Sequence, residues 1–144
     1  AIDCARKNAE INNLKDVVKF ECRNAFDVLG EWSREGREFD VVILDPPAFT
    51  KSKNTIKQAI RGYKEINLRG IKMVKRGGFF ATCSCSHYMS EEQLKKTVNE
   101  AAHDARRTLR QIEVRTQSCD HPILWNSDES YYLKFFIFQV VDKY

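Results

Sequence analysis

The 144-residue sequence has few prolines, three, and few glycines, six. That excludes collagen-like and low-complexity chains. No apolar run approaches the ~20 residues that a membrane-crossing helix needs. No basic start, apolar stretch and small-residue cleavage pattern marks a secretory signal. These absences predict a soluble, cytoplasmic protein with no membrane partner. Five cysteines form no even framework, no C-x-x-C occurs, and His121 is isolated; neither a disulfide scaffold nor a metal site is expected. The first residue is Ala1 rather than Met, inside a helical pattern, so the sequence reads as a piece of a longer protein.

What is present is enough for one packed core. The chain is 42% hydrophobic and 11% aromatic, which excludes global disorder at the size of a single domain. The net charge of +4 is unevenly spread. From Lys51 to Arg76 nine basic residues face one acid, Glu65, and the rest of the chain is net negative. Such asymmetry suits a surface facing a polyanion, although a solvated helix face would look the same.

Hydrophobic periodicity places a helix over Ile2 to Asn12, a strand over Val17 to Cys22 and a short helix from Asn24 to about Arg34. Phe39 to Leu44 is a nearly continuous apolar run of the kind buried on both faces in parallel sheets. Asp45-Pro46-Pro47 ends it, because proline cannot donate to a ladder. Ile56, Ile60, Tyr63, Asn67, Ile71 and Val74 recur at spacings of three and four, predicting a helix from about Thr55 to Lys75 that Gly77-Gly78 stops. Phe79 to Cys83 reads as a strand, Ser90 to Arg107 as a helix with a capping box, and Leu109 to Thr116 and Tyr131 to Val140 as closing strands. Alternation of strand and helix predicts an α/β doubly wound sheet, mostly parallel, with an antiparallel pair at its C-terminal edge.

Ligands of open parallel sheets bind beyond the carboxyl ends of the strands. Two strands end in reactive groups there: one in Asp45-Pro46-Pro47-Ala48-Phe49, the other in Cys83-Ser84-Cys85-Ser86-His87. If the strands are neighbours, a carboxylate and a thiol open into one cleft.

These residues carry a resemblance. The strand ending in Asp45-Pro46-Pro47 resembles motif IV of class I S-adenosylmethionine-dependent methyltransferases that act on nucleic-acid bases. Arg61 to Asn67, Ser84-Cys85-Ser86, Asp120-His121-Pro122 and Tyr131-Tyr132-Leu133-Lys134 follow in the order and spacing of the bacterial large-subunit ribosomal RNA cytosine-5 methyltransferases. The resemblance implies a Rossmann-like sheet, S-adenosylmethionine as cofactor and ribosomal RNA as partner. It aligns Cys85 with the family's nucleophile, while Cys83, commonly apolar there, is the alternative. Asp45 becomes the partner of the cytosine ring nitrogen N3. Some cytosine-5 enzymes release product with a second cysteine where this chain has Ala48, so here another base must serve. Cofactor contacts are expected from Asn24, Ala25, Asp45 and Pro46; Asn24 replaces the usual acid and could equally be a helix N-cap.

In the same reading Lys51, Lys53, Arg61 and Lys64 hold RNA phosphates while a base is extruded. Phe49 is a candidate to stack on that base, Tyr63 is more at home in the core, and His121 is a candidate for the cleft wall. The sequence lacks the family's G-x-G-x-G turn. The expectation is therefore the C-terminal two-thirds of a catalytic domain over residues 1–144, without the first two strands of the fold. Such a piece, alone, should oligomerise or swap strands and bind cofactor poorly. Two other functions compete: methylation of another RNA base such as guanine N7, which needs no cysteine, and a non-catalytic RNA-binding remnant.

Overall fold

A computed structural model describes residues 1–50 and 52–142, with residue 53 described by its backbone alone. In chain order the elements are α1 (Ile2–Ile11), α2 (Ala25–Arg34), β1 (Phe39–Leu44), a 3-10 turn (Lys53–Thr55), α3 (Ile56–Lys72) and β2 (Val74–Ser84). Then come α4 (Glu91–Asp104), β3 (Thr108–Arg115), a second 3-10 turn (Asp128–Ser130) and β4 (Lys134–Val141). The four strands form one sheet in the order β1-β2-β4-β3. β1 and β2 are parallel, while β4 runs antiparallel to both β2 and β3. Three strands thus share a direction, and the reversed β4 enters between β2 and β3 to make the antiparallel pair at the C-terminal edge.

α2, α3 and α4 pack side by side, and α3 and α4 lie on the sheet. α3 turns one stripe inward, Ala59, Tyr63, Ile66, Asn67, Gly70 and Ile71, at the three-and-four spacing of an amphipathic helix. Gly70 lets the helix approach closely: a Cβ there would lie 2.8 Å from Leu44 and 3.1 Å from Phe80. Val42, Leu44, Ile66, Phe80 and Val140 build the first part of the core, and Tyr63, Met89, Leu94, Val98 and Phe136 the second. The predicted capping box is formed. The Ser90 hydroxyl accepts from the Gln93 N–H at 3.1 Å, and the Gln93 side chain accepts from the Ser90 N–H at 2.9 Å.

Three expectations are corrected. Val17 to Cys22 is not a strand; it joins no ladder among the described residues, and its valines are solvent-exposed. A strand exists only through its neighbours, so apolar composition without a partner does not make one. β1 is buried on one face rather than two. Val42 and Leu44 point at α3, whereas Val41 and Ile43 remain 54% and 65% exposed, because no described element packs on that side. Finally, α3 ends at Lys72, and Gly77-Gly78 lies inside β2. The glycines absorb a register shift against β1: Gly77 takes φ +79°, and a Cβ on Gly78 would come within 2.6 Å of the Asp40 carbonyl oxygen. Lys75 and Arg76 accordingly belong to this bulged strand and not to the helix.

Candidate active site

β1 and β2 are adjacent and parallel, with Leu44 opposite Thr82 at their carboxyl ends. The next residue on each strand brings Asp45 to Cys83. The Cys83 thiol donates to Asp45 Oδ1 at 3.1 Å and lies 3.7 Å from the Leu44 carbonyl oxygen. One cleft does join a carboxylate and a thiol, but the thiol in contact is the inner one. Cys83 is buried, and burial first, then the Asp45 carboxylate, pushes its thiol up to about 12. A thiol held in that state is a poor source of thiolate at neutral pH.

Cys85 is exposed, and its two serine neighbours explain why. Ser84 and Ser86 are both buried. The Ser84 hydroxyl shares a 2.8 Å hydrogen bond with the Tyr63 hydroxyl from α3 and accepts from the Ser86 N–H at 3.4 Å. The Ser86 hydroxyl donates to the Thr50 carbonyl oxygen at 3.3 Å, tying this loop to the one that follows β1. The Ser86 carbonyl oxygen accepts from the buried Lys134 ammonium at 2.7 Å. With both flanking residues anchored inward, the residue between them is turned out to solvent.

Asn24 and Ala25 lie at the start of α2 and are exposed. The Asn24 side chain accepts from the Phe26 N–H at 2.9 Å, so it caps that helix. Pro46 is buried beside Asp45, which is exposed. Phe49 is wedged between Phe26 and Tyr63, with ring centroids 5.8 and 4.7 Å away. Tyr63 is fully buried, while Phe49 is half-buried. His121 is exposed in its loop, edge-on to Tyr132 at 6.2 Å.

Of the nine basic residues in the segment, Lys64, Arg69, Lys75 and Arg76 pair with acids, three of them with acids distant in sequence. Lys64, expected at RNA phosphates, is held instead by Asp104 at 3.0 Å and Glu100 at 3.6 Å on α4. Arg69 pairs with Glu65, Lys75 with Asp40 and Arg76 with Asp142. Arg61 is exposed on α3. Lys51 lies outside the described residues, and Lys53 is placed by its backbone in the 3-10 turn.

Sequence reasoning missed the anchoring groups Ser84, Ser86, Thr50 and Lys134. A signal existed for three of them: a serine on each side of the cysteine, and a lone lysine opening the mostly apolar run Phe135 to Val141. A concavity of about 810 Å³ lies between α4 and β3, lined by Val98, Ala102, Leu109 and Phe138, apart from Asp45 and Cys85. Among the described residues no cluster of metal-ligating side chains occurs, and no helix is long and apolar enough to cross a membrane.

No protein-family model matches the chain. Individual proteins do. A ribosomal RNA large subunit methyltransferase I of Aliivibrio fischeri is 45% identical over 143 residues, 98% of this chain and 36% of that protein. The Alteromonas mediterranea protein of the same name is 41% identical over 143 residues, 99% of this chain and 36% of its own length. Among solved structures, a methyltransferase complexed with SAH superposes with a TM-score of 0.67 at 20% identity, covering 81% of this chain and 30% of that one. At that identity the likeness concerns the fold, which is the class I methyltransferase sheet. The chain spans about a third of the curated relatives it matches. Over that span, the chain is similar to part of the ribosomal RNA large subunit methyltransferase I proteins.

Proposed function

We propose that the protein containing this chain transfers a methyl group to C5 of a cytosine in ribosomal RNA, with Cys85 as the nucleophile and Asp45 at the cytosine ring. The observation that carries the reading is the contrast between the two cysteines. Cys85 is exposed at the strand end on a loop anchored on both sides, while Cys83 is buried and held as a thiol. A methyltransferase acting on guanine N7 has no use for an exposed thiol at this place.

Cytosine C5 is too weakly nucleophilic to take a methyl group unaided. Addition of the Cys85 thiolate to C6 moves the ring's electron pair onto C5, which then bonds the methyl carbon. As the sulfur adds, N3 takes up a proton from solvent, and the Asp45 carboxylate accepts the resulting N3–H hydrogen bond. Loss of the C5 proton to a base expels the sulfur, and N3 returns its proton to solvent. Cys83, donating to Oδ1, keeps that carboxyl group turned toward the cleft.

S-adenosylmethionine, when bound, supplies an electrophilic methyl group on a sulfonium sulfur. The chain fits that cofactor in part. Asn24, Ala25 and Asp45 are exposed, with Pro46 behind Asp45, and they are assigned to its adenine and methionine sides. The Asn24 oxygen already holds the α2 N-terminus but has a second lone pair. No G-x-G-x-G turn occurs in the sequence. We therefore assign residues 1–144 to the C-terminal part of a catalytic domain, consistent with the share of the relatives that the chain spans. Arg61, with Lys51 and Lys53, is assigned to RNA phosphates.

The test uses the full-length protein and RNA carrying 5-azacytidine. The parent and its Cys83→Ser variant are expected to form a covalent protein–RNA adduct, and Cys85→Ser none. Loss of the adduct with Cys83→Ser instead would transfer the role to the inner cysteine. Methylation without any adduct would overturn the cytosine route.

A further inference from the structure

Lys134 is almost fully buried, yet no described carboxylate forms an ion pair with it. Its ammonium donates to two main-chain carbonyl oxygens, Ser86 at 2.7 Å and Tyr132 at 3.0 Å, and lies 5.5 Å from the centre of the Tyr131 ring. The nearby acid, Glu91, is engaged elsewhere: its carboxylate accepts from the Tyr131 hydroxyl at 2.7 Å and pairs with Lys95 at 2.6 Å. A buried cation held by carbonyl dipoles and a ring face, with no carboxylate bonded to it, is costly to keep. Its presence calls for a second role, and its position supplies one, since the carbonyl it grips belongs to the residue after Cys85.

We propose that Lys134 is a positioning residue for Cys85: it anchors the loop through Ser86 and places a positive charge against which the anionic sulfur forms. The inference rests on Cys85 being the nucleophile. The other titratable groups around Cys85 do not supply that charge. Cys83 and Tyr63 are neutral, both pushed up chiefly by burial. Asp45 is bonded to Cys83 and carries the opposite sign, and His87, two residues on, lies tilted against the Tyr88 ring at 3.8 Å. Burial also lowers the Lys134 ammonium from its ordinary range, and a thiolate at Cys85 acts in the opposite direction. Each charge therefore favours the other.

The test reads alkylation of individual cysteines by iodoacetamide in the full-length protein, with fragment-ion mass spectrometry separating Cys85 from Cys83. Near pH 7.5 Cys85 is expected to react at least about fivefold faster than the exposed Cys22 and Cys119, and the three rates to converge by about pH 10.5, where any exposed thiol is ionised. Lys134→Gln, which keeps an N–H for the Ser86 carbonyl, should lose that advantage at the lower pH, and Lys134→Arg should retain it. Equal rates in the parent near neutral pH overturn the proposal without recourse to any variant. So does a Lys134→Gln variant that is slower by one factor at every pH, which would mean restricted access. Because no RNA enters this assay, a failed 5-azacytidine adduct condemns the nucleophile assignment, whereas a flat alkylation profile condemns the role of Lys134.

Discussion

Along an extended segment the side chains of residues 83 and 85 leave on the same side, but the sheet covers only the first. Cys83 sits between β1 and β4, opposite Phe135, while Cys85 follows Ser84, the last paired residue of β2. Chemistry follows from that single step. The thiol of Cys83 is raised from an ordinary 9.0 to about 12 by burial and by Asp45. A raised acid group is neutral in the folded state, so its contribution to stability is complete below about pH 9 and is lost as the pH climbs toward 12. Between pH 7 and 8.5, iodoacetamide is expected to label Cys85 and to leave Cys83 intact, as mass spectrometry of the peptide would show. Labelling of Cys83 at that pH would mean that the Asp45 contact is not maintained. Asp45 and the two cysteines were legible from the strand-end motifs. The difference in burial between the cysteines was not, because it depends on which strands flank β2. Nor was the fate of Lys64, whose partners Glu100 and Asp104 lie more than a helix away along the chain.

At the scale of elements, periodicity located the four α-helices and four strands found among the described residues. It failed where an element depends on a neighbour, at Val17 to Cys22, and where glycines serve a strand rather than stop a helix, at Gly77-Gly78. Local signals work best when the interaction is itself local, as at the start of α4. The capping box of Ser90 and Gln93 closes two otherwise unsatisfied N–H groups four residues after the Ser86 anchor, and the Met89 N–H donates back to the Ser86 carbonyl oxygen at 3.2 Å. The cap therefore fixes one side of the Cys85 loop. Ser90→Ala should cost about 1 kcal/mol, seen as about fivefold faster hydrogen exchange in the first turn of α4, with Ser90→Asp restoring protection. Unchanged exchange in the alanine variant would show that tertiary packing of Leu94 alone holds this end.

For the molecule as a whole, the decisive feature is a sheet finished on one side. α3 and α4 cover one face, whereas Val41, Ile43 and Phe79 stand 54%, 65% and 41% exposed on the other. The outer edge of β1 pairs with no described strand. Exposed apolar area beside a free strand edge invites pairing with another chain. The 144-residue chain, prepared alone, is therefore expected to self-associate with rising concentration in sedimentation velocity, and Val41→Lys combined with Ile43→Lys to return it to monomer. In the longer protein the proposed domain assignment puts further sequence over this face. There the same pair of lysines should be strongly destabilising, because they would bury two charges without partners. A monomeric parent chain would refute the first expectation, and tolerance of the lysines in the longer protein would refute the second. The comparison also bears on cofactor binding. If the covering sequence completes the pocket, S-adenosylmethionine should titrate the longer protein with saturation and leave the 144-residue chain unsaturated, and saturable binding to the isolated chain would mean that Asn24, Asp45 and their neighbours suffice without a glycine-rich turn.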